Sequence, residues 1–194
     1  MNILIHPNDY IMRASQLIDE YQFLKAKQVL EELLEKEPAH GQGHHLLAFV
    51  LLTGMDNMAD AERHYKLAIQ FAPRFPYAYR NYAQLLIYGG RYEAAIEVVD
   101  QALKMHSIEQ SIFYANKGKA LELLKRFKEA KTNYKLAIAC TTNDHDISNY
   151  EEHVKRVKKR IKESTKKERS KKPKKVEQPK EVKMPSRFST PQIV

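Results

Sequence analysis

Two series of small residues recur along this chain of 194 residues at almost constant spacing. Ala26, Ala61, Ala95 and Ala130 stand 35, 34 and 35 positions apart. Each precedes a pair of apolar residues one turn apart: Leu30 and Leu33, Tyr65 and Ala68, Val99 and Ala102, Tyr134 and Ala137. About twelve positions earlier run Ala14, Ala48, Ala83 and Gly118, spaced 34, 35 and 35, each followed three residues later by a leucine (Leu17, Leu51, Leu86, Leu121). Self-similarity at such a period restricts the chain to stacked supersecondary units, because one unit of this size cannot bury its own apolar face and must share it with its neighbours.

Within each unit the apolar residues fall at i, i+3, i+4 and i+7, which predicts two antiparallel helices per repeat. The small residues belong where the two helices cross closely. Gly89-Gly90-Arg91-Tyr92 marks a turn, with glycine supplying a left-handed residue that ends the first helix. Pro38 and Pro73 end the second helix, and Ser107 and Thr142 take the same place in the last two repeats. The chain has no Trp and six Gly, which fits an all-α fold.

Tyr79-Arg80-Asn81-Tyr82-Ala83-Gln84-Leu85-Leu86, followed by Gly90-Arg91-Tyr92-Glu93-Ala94-Ala95-Ile96, resembles the tetratricopeptide repeat family. The resemblance spans residues 7–142 and is strongest in the third repeat. It implies a right-handed superhelical solenoid of four helix-turn-helix repeats, with boundaries near 7–40, 41–75, 76–109 and 110–143 after a lead-in of residues 1–6. The second repeat carries an extra turn residue within Gly54-Met55-Asp56-Asn57-Met58. Arg13 and Lys117 occupy places where the family usually has an aliphatic residue.

The resemblance also implies a concave groove lined by the first helix of each repeat. Its candidate residues are Ile11, Met12 and Ser15 in the first repeat and His45 and Phe49 in the second. The third repeat adds Tyr77, Arg80, Asn81, Gln84 and Tyr88, and the fourth Ile112, Asn116 and Lys119. Asn81 and Asn116 hold equivalent places, where an amide can donate to and accept from a peptide main chain. Arg80 and Lys119 favour an acidic ligand. The carboxylate-holding set of the chaperone-binding members is absent, since Ile11 and Ser15 stand where Lys and Asn are needed.

After the repeats, Asp144 or Asp146 is expected to cap a further helix over 144–164, whose apolar residues Ile147, Tyr150, Val154, Val157 and Ile161 suit it to closing the array. Residues 165–194 read as a disordered basic tail. The net charge of +9 is lodged at this end: residues 1–154 hold 17 Lys and Arg against 20 Asp and Glu, and residues 155–194 hold 16 against 4. Arg169, Lys171, Lys172, Lys174 and Lys175 form the densest run.

Catalytic and cofactor chemistry finds no foothold. His40, His44 and His45 lie close together, but Gly41 and Gly43 are expected to interrupt the helix that would align them, so no metal is assigned. No phosphate-cradling loop, nucleophile motif or cofactor site is present, and Cys140 reads as a packing residue. A single cysteine, no recognisable signal peptide and no apolar span point to the cytoplasm. The leading expectation is a non-enzymatic adaptor that binds a peptide or partner segment in the groove. A second is a secretion-type chaperone for an exported substrate. A third has the basic tail binding nucleic acid or an anionic surface while the repeats oligomerise.

Overall fold

The computed structural model describes residues 6–105 and 108–171, with side-chain detail as far as residue 166. Within them the chain is helical throughout: α1 (Pro7–Asp19), α2 (Phe23–Lys36), α3 (Gly41–Met55), α4 (Met58–Phe71), α5 (Pro76–Tyr88), α6 (Tyr92–Ala102), α7 (Gln110–Leu123), α8 (Phe127–Ala139) and α9 (Asp144–Lys171). The first eight form four hairpins. The alanines of both recurring series are completely buried, and the leucines that follow the first-helix series are all in the core. Gly118 belongs to that first-helix series for a steric reason: a Cβ there would lie 2.9 Å from the Tyr134 ring.

Each hairpin turns through one left-handed residue: Tyr21 (φ 57°), Asp56 (φ 51°), Gly90 (φ 76°) and Lys125 (φ 61°). The spacing of these four repeats that of the alanines, but only one of them is glycine. Pro38 and Pro73 follow the ends of α2 and α4, and their carbonyls are used again. His44 Nε2–H donates to the Pro38 carbonyl at 2.9 Å, and the hydroxyl of Tyr79, 35 positions later, donates to that of Pro73 at 3.1 Å.

First helices of successive hairpins touch one another, α1 on α3, α3 on α5 and α5 on α7. Among the described residues no comparable contact joins α2 to α4, α4 to α6 or α6 to α8. The array therefore curves with its first helices inside, which makes their free faces the concave surface. Neighbouring hairpins are also tied by charge. Glu62 of α4 accepts from the Tyr82 hydroxyl of α5 (3.1 Å) and from Arg91 (2.6 Å). Burial tends to raise the Glu62 pKa, but hydrogen bonds from Lys66, Arg91 and Tyr82 outweigh it and hold the carboxyl at about 2. Lys117 pairs with Asp100 of α6 at 2.5 Å, which accounts for a cation where the family has an aliphatic residue.

Several sequence expectations need correction. Gly41 and Gly43 do not interrupt a helix; α3 starts at Gly41, capped by the His40 side chain, which accepts from Gly43 N–H at 3.0 Å. Glycine is needed there because a Cβ on Gly41 would lie 2.5 Å from Ala72 Cβ. Asn143, rather than Asp144 or Asp146, caps α9: its side-chain oxygen accepts from Asp146 N–H at 3.1 Å. The two aspartates sit in the first turn, where negative charge suits the helix dipole. The last helix does not stop at residue 164 but continues to Lys171, since Lys, Glu and Arg are good helix formers and no proline falls within this stretch. Cys140 is exposed at the end of α8 rather than packed.

Helix α9 packs on α8, burying Tyr150, Val154 and Val157. Arg169 and Lys171 fall on its last turn, while Lys172, Lys174 and Lys175 lie outside the described residues, as does Ser107.

Candidate peptide-binding groove

Two hollows open between consecutive first helices on the concave side. The larger, about 290 Å³, lies between α3 and α5 and is lined by Phe49, Leu52, Thr53, Asp56, Tyr65, Asn81, Gln84, Leu85 and Tyr88. The second, about 180 Å³, lies between α5 and α7 and is lined by Pro76, Tyr77, Arg80, Ile108, Glu109, Ile112 and Phe113. Helix α5 contributes to both. Residues 81, 84, 85 and 88 of α5 face the first, and residues 76, 77 and 80 face the second.

Seven of the candidate residues are thereby brought together: Phe49, Asn81, Gln84 and Tyr88 in the larger hollow, and Tyr77, Arg80 and Ile112 in the smaller. Tyr88 is 77% exposed and stands at the rim, as does Gln84. The Arg80 guanidinium lies over the Tyr77 ring, 5.1 Å from its centroid, so its charge is presented on an aromatic ledge beside Glu109.

Ile11 and His45 are covered instead of open, at 8% and 7% exposure. The reason is the contact between successive first helices, which sandwiches residues on that flank. His45 lies behind the larger hollow, where its Nε2 accepts from the Asn81 amide at 3.0 Å. Arg80 Nε donates to the Asn81 carbonyl oxygen at 3.3 Å. Asn81 is thus half-buried and engaged with its own neighbours while still forming part of the wall. Burial, with the nearby Arg80 charge, holds the His45 pKa down at about 4, so the ring is neutral at ordinary pH. Met12 is open, Ser15 half-buried, and neither lines a hollow; the same is true of Asn116, half-buried, and Lys119, exposed.

Thr53, Asp56, Tyr65, Leu52 and Leu85 were not among the candidates. A signal existed for one of them: Thr53 lies four positions after Phe49, on the same stripe of α3. The hollow itself is mostly apolar, with one amide at its open edge and one carboxylate, Asp56. It can take an aliphatic or aromatic side chain while Gln84 meets the main chain beside it. Nothing in it pairs a nucleophile with a base. Among the described residues no group of three or more His, Cys, Asp or Glu is arranged to hold a metal ion, and no helix is long and apolar enough to cross a membrane.

Residues 76–106 and 112–139, the third and fourth hairpins, match the family model described as tetratricopeptide repeat. These two hairpins are tetratricopeptide repeats. No curated protein matches the sequence of the chain. Among solved structures, the chain is similar to pilF of Pseudomonas aeruginosa (TM-score 0.73, 22% identity, covering 81% of this chain and 69% of that one). It is also similar to PilW, described as a widely conserved type IV pilus biogenesis factor (TM-score 0.66, 16% identity, 80% and 78% covered). A thermophilic tetratricopeptide repeat protein of Thermus thermophilus aligns with TM-score 0.65 at 16% identity, covering 77% of this chain and 81% of that one. At these identities the likeness is one of fold.

Proposed function

We propose that this chain is a non-enzymatic cytoplasmic adaptor that holds a segment of a partner polypeptide along its concave face. The observation that carries this reading is the apolar hollow between α3 and α5, open on the inner side and edged by Gln84 and Tyr88. An isolated peptide gains affinity chiefly by burying one or two large side chains in preformed hollows while its main chain is satisfied at the rim. The second hollow, with Arg80 beside Tyr77, extends the track by one repeat and favours a carboxylate on the same segment.

The test replaces side chains that the fold does not need. Gln84 and Tyr88 are both exposed, so the double variant Gln84→Ala, Tyr88→Ala keeps the wild-type melting curve. It is expected to lose partner capture at least tenfold, the range in which single well-placed contact residues act (about 1–2 kcal/mol). Undiminished capture by this variant would remove the groove from the account.

A further inference from the structure

Helix α9 is 28 residues long, about 42 Å, while the α8 helix beneath it has 13. Its apolar side, Tyr150, Val154, Val157 and Ile161, is used up in packing. The opposite side carries Lys155, Lys159, Lys162 and Lys166, spaced four, three and four residues apart. At 100° per residue these four fall within about 60° of one another and run in a line about 16 Å long. All four are exposed, and none makes an ion pair among the described residues.

Such a row is unfavourable for the helix by itself, because like charges three and four residues apart repel. Elsewhere this chain pairs such positions with acids, as in Lys27 with Glu31 and Lys66 with Glu62. Here it does not. The stretch from Lys162 to Lys171 continues the trend with five basic residues against two acidic ones. At the same end of the array Lys125 of the α7–α8 turn and Lys128 of α8 line a notch that Ser164 and Thr165 of α9 complete.

The chemistry of an occupant follows from what this surface lacks. No aromatic side chain lies in the lysine row to stack on unpaired bases, and no apolar one is left over to enter a lipid layer. A line of cations about 16 Å long matches the regular charge of a duplex backbone. We propose that the lysine row of α9 docks a nucleic-acid duplex through its phosphates, without reading sequence. This site is separate from the peptide groove and stands or falls independently of it.

The experiment is fluorescence anisotropy of a labelled random-sequence DNA duplex with the full chain over a salt series, compared with a Lys155→Gln, Lys159→Gln, Lys162→Gln, Lys166→Gln variant. Four phosphate contacts contribute a slope of about −3.6 in log affinity against log salt, equivalent to a fall of about 100-fold between roughly 50 and 200 mM. The quadruple variant is expected to flatten the slope by about that amount and to bind at least about tenfold more weakly at low salt. A second full-length variant, with Arg169, Lys171, Lys172, Lys174 and Lys175 changed to Gln, retains the α9 share of the slope. The proposal is overturned if the first variant binds like wild type while the second does not. It is equally overturned if the wild-type chain binds vesicles containing phosphatidylserine but no duplex, or binds neither.

Discussion

Glu122 joins the fourth hairpin to α9, and removing it should loosen that joint before any other. Its carboxylate is 9% exposed and receives Arg156 Nε–H at 2.9 Å, an Arg156 terminal N–H at 2.8 Å and the Tyr134 hydroxyl at 3.1 Å. Arg160 approaches to 3.5 Å. Burial tends to raise the Glu122 pKa; hydrogen bonds and charge from Arg156, with the Tyr134 hydroxyl, more than offset this and hold it below the usual carboxylate value. Breaking a buried ion pair by deleting one partner costs about 3–5 kcal/mol, because the other charge is stranded. Arg156 is 44% exposed and can rehydrate, so the upper end of that range does not apply. The Tyr134 hydroxyl, on a side chain 1% exposed, cannot. Glu122→Ala should therefore cost about 2–4 kcal/mol, including about 1–3 for the orphaned hydroxyl. The loss should be local. Hydrogen exchange is expected to speed up across α9 and the facing turns of α8 while α3 and α4 keep their protection. Because the folded pKa of Glu122 is depressed, its contribution is complete above the ordinary carboxylate range and is lost as pH falls through the folded value, so wild type and variant converge in acid. A cost under about 0.5 kcal/mol, or unchanged protection in α9, would refute this reasoning.

Three further outcomes follow from single positions. Gly54→Ala puts a Cβ 2.4 Å from Cγ of the Phe23 ring, so it should destabilise by about 1–3 kcal/mol in urea unfolding, against the usual gain for alanine in a helix. Lys125→Gly relieves a left-handed residue at φ 61° and should raise stability by about 0.5–1 kcal/mol in the same assay. His45 stays neutral in the fold down to about pH 4 but takes a proton near pH 6.5 when unfolded. Its stabilising contribution is thus full above about pH 6.5 and declines by about 3 kcal/mol on going down to about pH 4. His64, also held at about 4 by burial and by His44, adds to the same trend. Urea titrations at the two pH values should show a smaller drop for His45→Gln.

The repeat was plainly legible, because the alanines and leucines that set its period are the residues buried at the helix crossings. Helix ends were less so. Two of the four left-handed turn residues are Tyr and Lys, which no turn signature predicts, and Gly41 and Gly43 looked like breakers although their role is to let α3 approach Ala72 and Leu33. In the groove, periodicity identified the inward stripe of each first helix but not how far neighbouring helices would close over it. Ile11 and His45 were covered for that reason, and Asn81 found partners in His45 and Arg80. The contact between Asn81 and His45 joins residues 36 positions apart and leaves no trace in local pattern.

The central claim, that a polypeptide segment lies along the concave face, is tested most directly by site-specific photocrosslinking in the native cell. A photoreactive residue at position 84 faces the larger hollow, and one at position 70, exposed on α4, faces away from it. The account predicts a discrete crosslinked polypeptide from position 84, mapped to one segment bearing a large apolar side chain, and none from position 70. Crosslinks of equal yield from both positions, or from position 70 alone, would contradict it.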